Sequence, residues 1–252
     1  MTTVADAPFN WAMIGVTALA SIVVSVITAW LVFVLVTKRQ MIAADQMRRK
    51  QEKSDRIREE VHRWSNPILG SVRDLRGRLD NILRSGGHVA LASEYQPPRN
   101  WSISHDYFIR SSLYMFGVYF AYAGAMRDSL SFELFETQQE KEQLLNGLKN
   151  VGSALSEFPA PDGCSGKDVQ VFHLEQRAMG ALLLLEDGRR CISYPEFIDK
   201  LEEPRFARAF QPLRDLLVGA RPQSDCRWRR LERVNVTLVE LDDICKSLLN
   251  IR

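Results

Sequence analysis

The chain has 252 residues, with 33 basic and 31 acidic side chains leaving a net charge of +2. That balance hides a basic excess in residues 38–84, but the segment is laced with acids and has only Trp64 as an aromatic, which argues against a nucleic-acid binder. The four cysteines (Cys164, Cys191, Cys226, Cys245) lie 27, 35 and 19 residues apart with no C-x-x-C pair, which leaves zinc and redox-motif chemistry without support.

The first element is an uncharged run from Ala7 to Thr37. Within it, Trp11–Val36 would rise about 39 Å as a helix, enough to cross a hydrocarbon core about 30 Å thick. The ten residues before it contain no Lys or Arg, so the segment does not fit a cleavable signal peptide, which starts basic and has a shorter apolar stretch. It reads as a transmembrane helix over residues 11–37. Lys38, Arg39, Arg48, Arg49, Lys50 and Lys53 follow it and no cation precedes it. The positive-inside rule then predicts an outside tail of residues 1–10 and a cytosolic C-terminal part, in a plasma (inner) membrane. Thr17, Ser21, Ser25 and Ala29 recur every four residues. Such a small-residue stripe lets two helices approach closely and predicts a homo-oligomer.

Residues 38–84 carry 13 basic and 7 acidic side chains, so the basic excess lies beside the expected membrane. Anionic lipid headgroups attract such a segment. Residues 38–56 are poor in apolar side chains, and Asp45–Arg49, Glu52–Arg56 and Glu59–Arg63 are acid-then-base pairs at i,i+4, the favourable order on a solvated helix. They read as a charged stalk. From Ile57 the pattern changes. Ile57, Val61, Trp64, Ile68, Val72, Leu75, Leu79 and Ile82 are spaced by three and four residues, the signature of one buried helix face. Pro67 interrupts this stripe without shifting it, as a kink would; a new helix capped at Ser65 or Asn66 is the other reading.

Ser85-Gly86-Gly87 ends that helix, and Pro97-Pro98 marks a loop. Residues 102–135 are apolar on every side, with seven aromatics between Tyr107 and Tyr122. Only 16 residues separate Arg110 from Arg127, which is short for a membrane span, so the segment reads as a central core helix. Gly117 and Gly124 would allow close helix packing. Residues 138–157 form an amphipathic helix through Leu144, Leu148, Val151 and Leu155; residues 168–185 form another. Ser193-Tyr-Pro-Glu196 is a capping box opening a short helix. Pro204 starts the next, with Phe206, Phe210, Leu213 and Leu217 on its buried face. In residues 225–250, Leu231, Val234, Leu238, Leu241, Cys245 and Leu248 form a short heptad seam, expected to pair with a twin or, better at this length, to dock on the preceding helices. No stretch alternates as a strand does. The expected architecture is all-α: one transmembrane helix, a stalk, and a cytosolic domain over residues 57–252, a bundle of about six helices large enough for one core. Its cysteines should be free thiols.

Sites are sparse. Gly163-x-x-Gly166-Lys167-Asp168 lacks both the glycine spacing and the hydroxyl residue of a phosphate loop. His105-Asp106 reads as a helix-start cap rather than an acid–base pair. Glu133 and Glu136 lack the Glu-x-x-His motifs of carboxylate metal bundles, so no metal or cofactor is expected. Asp106 and Arg110 flank the apolar helix, while Glu175 and Arg177 precede another apolar run. Buried charges need partners, so these four are candidates for one polar network, structural or anion-binding.

The stretches YFIRSSLYMFGVYFAYAGAMRD, VFHLEQRAMGALL and CISYPEF resemble segments of uncharacterised bacterial proteins with one N-terminal membrane helix. The likeness covers most of residues 57–217 and implies a bacterial inner-membrane setting, with no activity attached. The expected function is a membrane-tethered scaffold, sensor or effector, partnered by the bilayer, by a second copy and by an unidentified cytosolic protein, rather than an enzyme. The alternative is an enzyme or small-ligand sensor with an interhelical site around Arg110 and Glu175.

Overall fold

The computed structural model describes residues 11–99, 103–129, 138–157, 170–222 and 225–248, without the side chains of 11–29, 43, 53, 56–65, 129 and 248. The N-terminal tail, the stripe Thr17, Ser21, Ser25 and Ala29, the side chains of Lys53, Ile57, Val61 and Trp64, and Glu133, Glu136, Cys164 and Gly163–Asp168 lie outside the described residues. The chain is all-α. Helices run α1 Trp11–Arg84, α2 His105–Ser129, α3 Gln138–Ser156, α4 His173–Leu183, α5 Tyr194–Leu201, α6 Pro204–Leu217 and α7 Cys226–Leu248, with a 3-10 turn at Gly87–Leu91. Among the described residues no β-strand occurs, only an isolated antiparallel bridge between Leu184 and Cys191.

The chain divides into two compact units, Met1–Arg56 and Ile57–Arg252. In the first, α1 carries its charges outward: Arg49 pairs with Asp45 at 3.0 Å and Arg48 with Glu52 at 3.0 Å, all exposed. Among the described residues no helix is long and apolar enough to cross a membrane.

The second unit is built on the apolar stripe of α1. Ile68, Val72, Leu75, Leu79 and Ile82 are all fully buried, each contributing about 1.5–3 kcal/mol by leaving water. Pro67 sits inside the helix; the helix neither restarts nor loses its apolar phase there. Gly86, at φ 79°, turns the chain out of α1, a conformation that costs glycine nothing.

Helix α2 runs through the middle of this unit. Phe108, Ile109, Leu113, Phe116, Tyr119, Phe120, Ala123 and Met126 are buried along one broad face, and Tyr114, Met115, Val118 and Tyr122 on the other side are partly buried against the same core. It packs against α4, α5, α6 and the 3-10 turn, while α3 packs on α4 and α7. The tightest crossing is at Gly180 of α4, where an added Cβ would stand 2.7 Å from the backbone carbon of Phe120. Gly117 does similar work, its missing Cβ leaving room for Leu183 and Phe210, but Gly124 has nothing within 4 Å. The expectation of close packing at Gly124 is therefore corrected, and the decisive glycine is one on the facing helix.

The α7 seam docks inside the same chain. Leu231, Val234, Leu238, Leu241 and Cys245 are fully buried. Asn235 Nδ2 donates to Asp80 Oδ1 at 2.9 Å, and the Asp242 carboxylate accepts from Arg76 Nη1 at 2.8 Å and Lys246 Nζ at 2.6 Å. Asp242 is only 1% exposed, so these cations supply the partners that a buried carboxylate requires. The N-terminal arginines of α7 finish other helices. Arg230, itself buried, donates to the carbonyls of Ala154 and Glu157 at the end of α3; Arg227 donates to those of Val218 and Gly219 at the end of α6. Both use the carbonyls a helix leaves unpaired at its C-terminus. Cys191 and Cys245 are free thiols, as expected, but Cys226 is disulfide-bonded; the expectation of free thiols throughout is corrected at that residue.

Because Gly180 meets backbone and Gly124 meets nothing, the same substitution should act oppositely at the two sites. Gly180→Ala is expected to cost about 1–3 kcal/mol. Gly124→Ala is expected to be neutral or to stabilise by up to about 1 kcal/mol. Urea unfolding midpoints of the two variants check this.

Candidate functional site

Three short segments converge at the N-terminal end of α2. Ser104 caps the helix, its Oγ accepting from Tyr107 N–H at 3.1 Å. His105 sets Nδ1 2.9 Å from the carbonyl of Ala90, which places a proton on that nitrogen and ties the 3-10 turn to α2. The His105-Asp106 cap expected from sequence is thus one residue out, and the two side chains serve different partners. Asp106 takes Arg110: Nε lies 2.9 Å from Oδ1 and 2.8 Å from Oδ2. Arg110 Nη1 donates to Glu202 Oε1, at 2.9 Å, from the turn between α5 and α6.

Glu175 and Arg177 are elsewhere. Glu175 Oε2 accepts from the backbone N–H of Phe172 at 2.7 Å, closing the start of α4. Arg177 lies 3.7 Å from Asp128, both exposed. The single network of Asp106, Arg110, Glu175 and Arg177 does not form. One pair of the four meets, and Glu202, 92 residues from Arg110, takes the place assigned to Glu175. The physical reason is that these groups sit at helix ends, where solvent and local caps satisfy them.

Arg110 borders a cleft of ≈ 210 Å³ lined by Leu113 of α2, Leu201 and Glu202 at the end of α5, and Ala207, Phe210, Gln211 and Arg214 of α6. The floor is apolar: Leu113 and Phe210 are 1% exposed. The rim is charged. Asp106 and Glu202 are more than half exposed and Arg110 a quarter exposed. The hydrogen bond to Asp106 raises the Arg110 pKa above its usual value, outweighing burial. Gln211 donates to Asp215 at 2.6 Å. Sequence reasoning missed Glu202, Gln211 and Arg214. The signal was present in α6, where positions 207, 211 and 214 follow the four-then-three spacing of one helix face.

Beside the cleft, Arg78 of α1 lies 4.5 Å from the centre of the Phe108 ring and donates to Ser111 Oγ at 3.0 Å. Burial lowers its pKa. The Tyr194 ring meets Tyr107 and Tyr114 edge-on, and Tyr114 hydroxyl donates to the carbonyl of Ile192. This aromatic cluster fixes α5 against α2 and so holds Glu202 near Arg110.

Nucleophile chemistry has little to work with here. Burial pushes the thiol of Cys191 up to about 11 and that of Cys245 up to about 12, and a thiol held protonated is inert. Among the described residues no three His, Cys, Asp or Glu side chains gather closely enough to hold a metal ion. Comparison with known protein families, with curated proteins and with solved structures finds no match to this chain.

The exposed pairs of Arg110 and Arg177 should matter little to stability, since exposed ion pairs contribute at most about 1 kcal/mol. Arg110→Leu and Arg177→Leu are each expected to stay within that. Arg230→Leu is expected to cost more, about 1–3 kcal/mol, because it strips two helix-end carbonyls of their donor. Thermal melts of the three variants check the order; equal losses at all three would contradict it.

Proposed function

We propose that this protein is a membrane-anchored helical module that acts by holding its α-helical domain beside the cytosolic face of a plasma membrane, as a scaffold, sensor or effector rather than a catalyst. The observation that carries the reading is on α1. Trp30, Leu31, Val32, Phe33, Leu35 and Val36 are all exposed, Trp30 by 64% and Phe33 by 69%. Successive helix positions lie 100° apart, so these six cover every side. A helix apolar all round needs either a protein core or hydrocarbon to cover it. Thr37 turns its hydroxyl onto the Phe33 carbonyl at 2.8 Å, so even the first hydroxyl after the run is satisfied within the helix, as a lipid-facing segment requires. The sequence continues the apolar run back to Trp11.

Orientation follows from Lys38, Arg39, Arg48, Arg49 and Lys50, all exposed on the C-terminal side. The disulfide at Cys226 pulls the other way, because such bonds persist in oxidising compartments. Flanking cations set the orientation at insertion, and so we propose a cytosolic C-terminal domain, where cellular reductants would open the Cys226 bond. Homodimerisation through Thr17, Ser21, Ser25 and Ala29, and docking of a cytosolic partner protein, belong to the same proposal. The non-catalytic reading rests on the character of the polar groups: solvated arginine–carboxylate pairs and thiols driven far above neutrality.

Alkaline extraction of native membranes should leave the protein in the pellet until detergent is added. A C-terminal green fluorescent fusion should glow while a C-terminal alkaline phosphatase fusion stays inactive. Folded monomer in the detergent-free supernatant, or an active phosphatase fusion, would overturn the anchor or its orientation respectively.

A further inference from the structure

We infer that the cleft between α2, α5 and α6 binds a small monocarboxylate with a short apolar tail: Arg214 and the outer guanidinium nitrogen of Arg110 hold the carboxylate, and Leu113, Leu201, Ala207 and Phe210 hold the tail. The site goes beyond membrane anchoring and lies wholly within one compact unit. Its size sets the first limit. A cleft of ≈ 210 Å³ is smaller than the ~300–1,000 Å³ of sites for drug-sized ligands, and so suits a small molecule.

Charge sets the second. The lining holds two guanidinium groups against one carboxylate, Glu202. Arg110 commits Nε to Asp106 and Nη1 to Glu202. Among the described residues nothing accepts from its Nη2, and that atom is not among the buried side-chain atoms left without a partner, so it faces outward. Among the same residues no carboxylate pairs with Arg214, the other cation of the lining, which is half-buried. Asp106 and Glu202 both pair with Arg110, so Arg214 is the lining cation left without a carboxylate, and it calls for one negative charge. A dianionic phosphate would instead crowd Glu202 and Asp106. Guanidinium groups match the planar, two-oxygen geometry of a carboxylate.

The floor sets the third limit. Four apolar side chains, with Leu113 and Phe210 at its base, reward a ligand that leaves a hydrocarbon tail there. A bare acetate or formate would leave that surface wet. The combination of cationic rim and apolar floor is the pattern of small-ligand sites generally, where a few polar groups orient a mostly apolar contact.

Titration of the full-length protein in lipid nanodiscs with sodium valerate, followed calorimetrically and corrected against empty nanodiscs, tests this. Valerate should bind saturably, whereas 1-pentanol, with the same tail and no charge, and inorganic phosphate should not. Arg214→Gln should weaken valerate about tenfold or more, the loss expected for a charge-assisted hydrogen-bond pair. Ala207→Phe, which fills the cleft, should abolish binding. Because Arg214 makes no ion pair among the described residues, Arg214→Gln should keep the wild-type melting temperature and carries the test if Ala207→Phe fails to fold. Absence of saturable valerate binding, equal binding by the Arg214→Gln protein, or phosphate binding more tightly than valerate would each overturn the inference. None of these results bears on membrane extraction or topology.

Discussion

A helix that is apolar on every side cannot stand in water, and this chain contains two such segments that meet the constraint differently. In α2 the protein supplies the cover. Phe108, Phe116, Tyr119 and Phe120 fill one broad face and are buried, and Tyr114, Met115, Val118 and Tyr122 opposite are partly buried, because α4, α5, α6 and the 3-10 turn are packed around the helix. In α1, Trp30, Leu31, Val32, Phe33, Leu35 and Val36 are exposed. The proposal of a membrane anchor rests on that contrast, and the domain's construction around one central helix follows from the cover that α2 requires. Burying large aromatics along α2 demands close neighbours, and Gly180 supplies the closest approach by letting α4 touch α2 backbone to backbone.

The polar groups that accompany this burial fall into two kinds. Those of α7 are structural. Arg227 and Arg230 fill the carbonyl ends of α6 and α3, and Asp242 draws Arg76 and Lys246 to the buried seam between α7 and α1. Asp225 belongs with them: burial would raise its pKa, but hydrogen bonds from Arg227 and from the backbone prevail and hold it below the usual carboxylate range. Leaving these groups unpaired would cost more than their pairing gains, so they set register as much as they add stability. The groups around Arg110 are different. They sit at helix ends, half in water, and surround space rather than fill it. That makes the Arg110 cleft a part of the domain with room for something other than the protein itself.

Most of the helical plan was legible in the sequence. The stripe 68–82, the Ser193 cap with Pro195 behind it, the Pro204 start and the α7 seam all rest on local periodicity or local hydrogen bonding, which the chain displays openly. Pro67 left two readings open, a kink or a new helix, and the helix runs through it unbroken. What could not be read was long-range. Arg110 meets Glu202 through a turn 92 residues away, and no spacing along the chain encodes that. Helix α4 begins at His173 rather than near Asp168 because Glu175 closes its first turn onto Phe172, a local cap that apolar periodicity does not register. Gly124 and Gly117 look alike in sequence, and only the position of the neighbouring helix distinguishes them. The cleft was legible in halves: Ala207, Gln211 and Arg214 share a helix face, but their convergence on Arg110 depends on how α5 and α6 pack against α2.

The division between the two apolar helices can be measured in one experiment. A lipid-soluble carbene reagent is activated in native membranes and the labelled peptides are mapped by mass spectrometry. The account predicts label across residues 30–36 and none across residues 108–126. Label on 108–126, or a 30–36 segment that stays unlabelled beside heavily labelled known membrane helices, would contradict it.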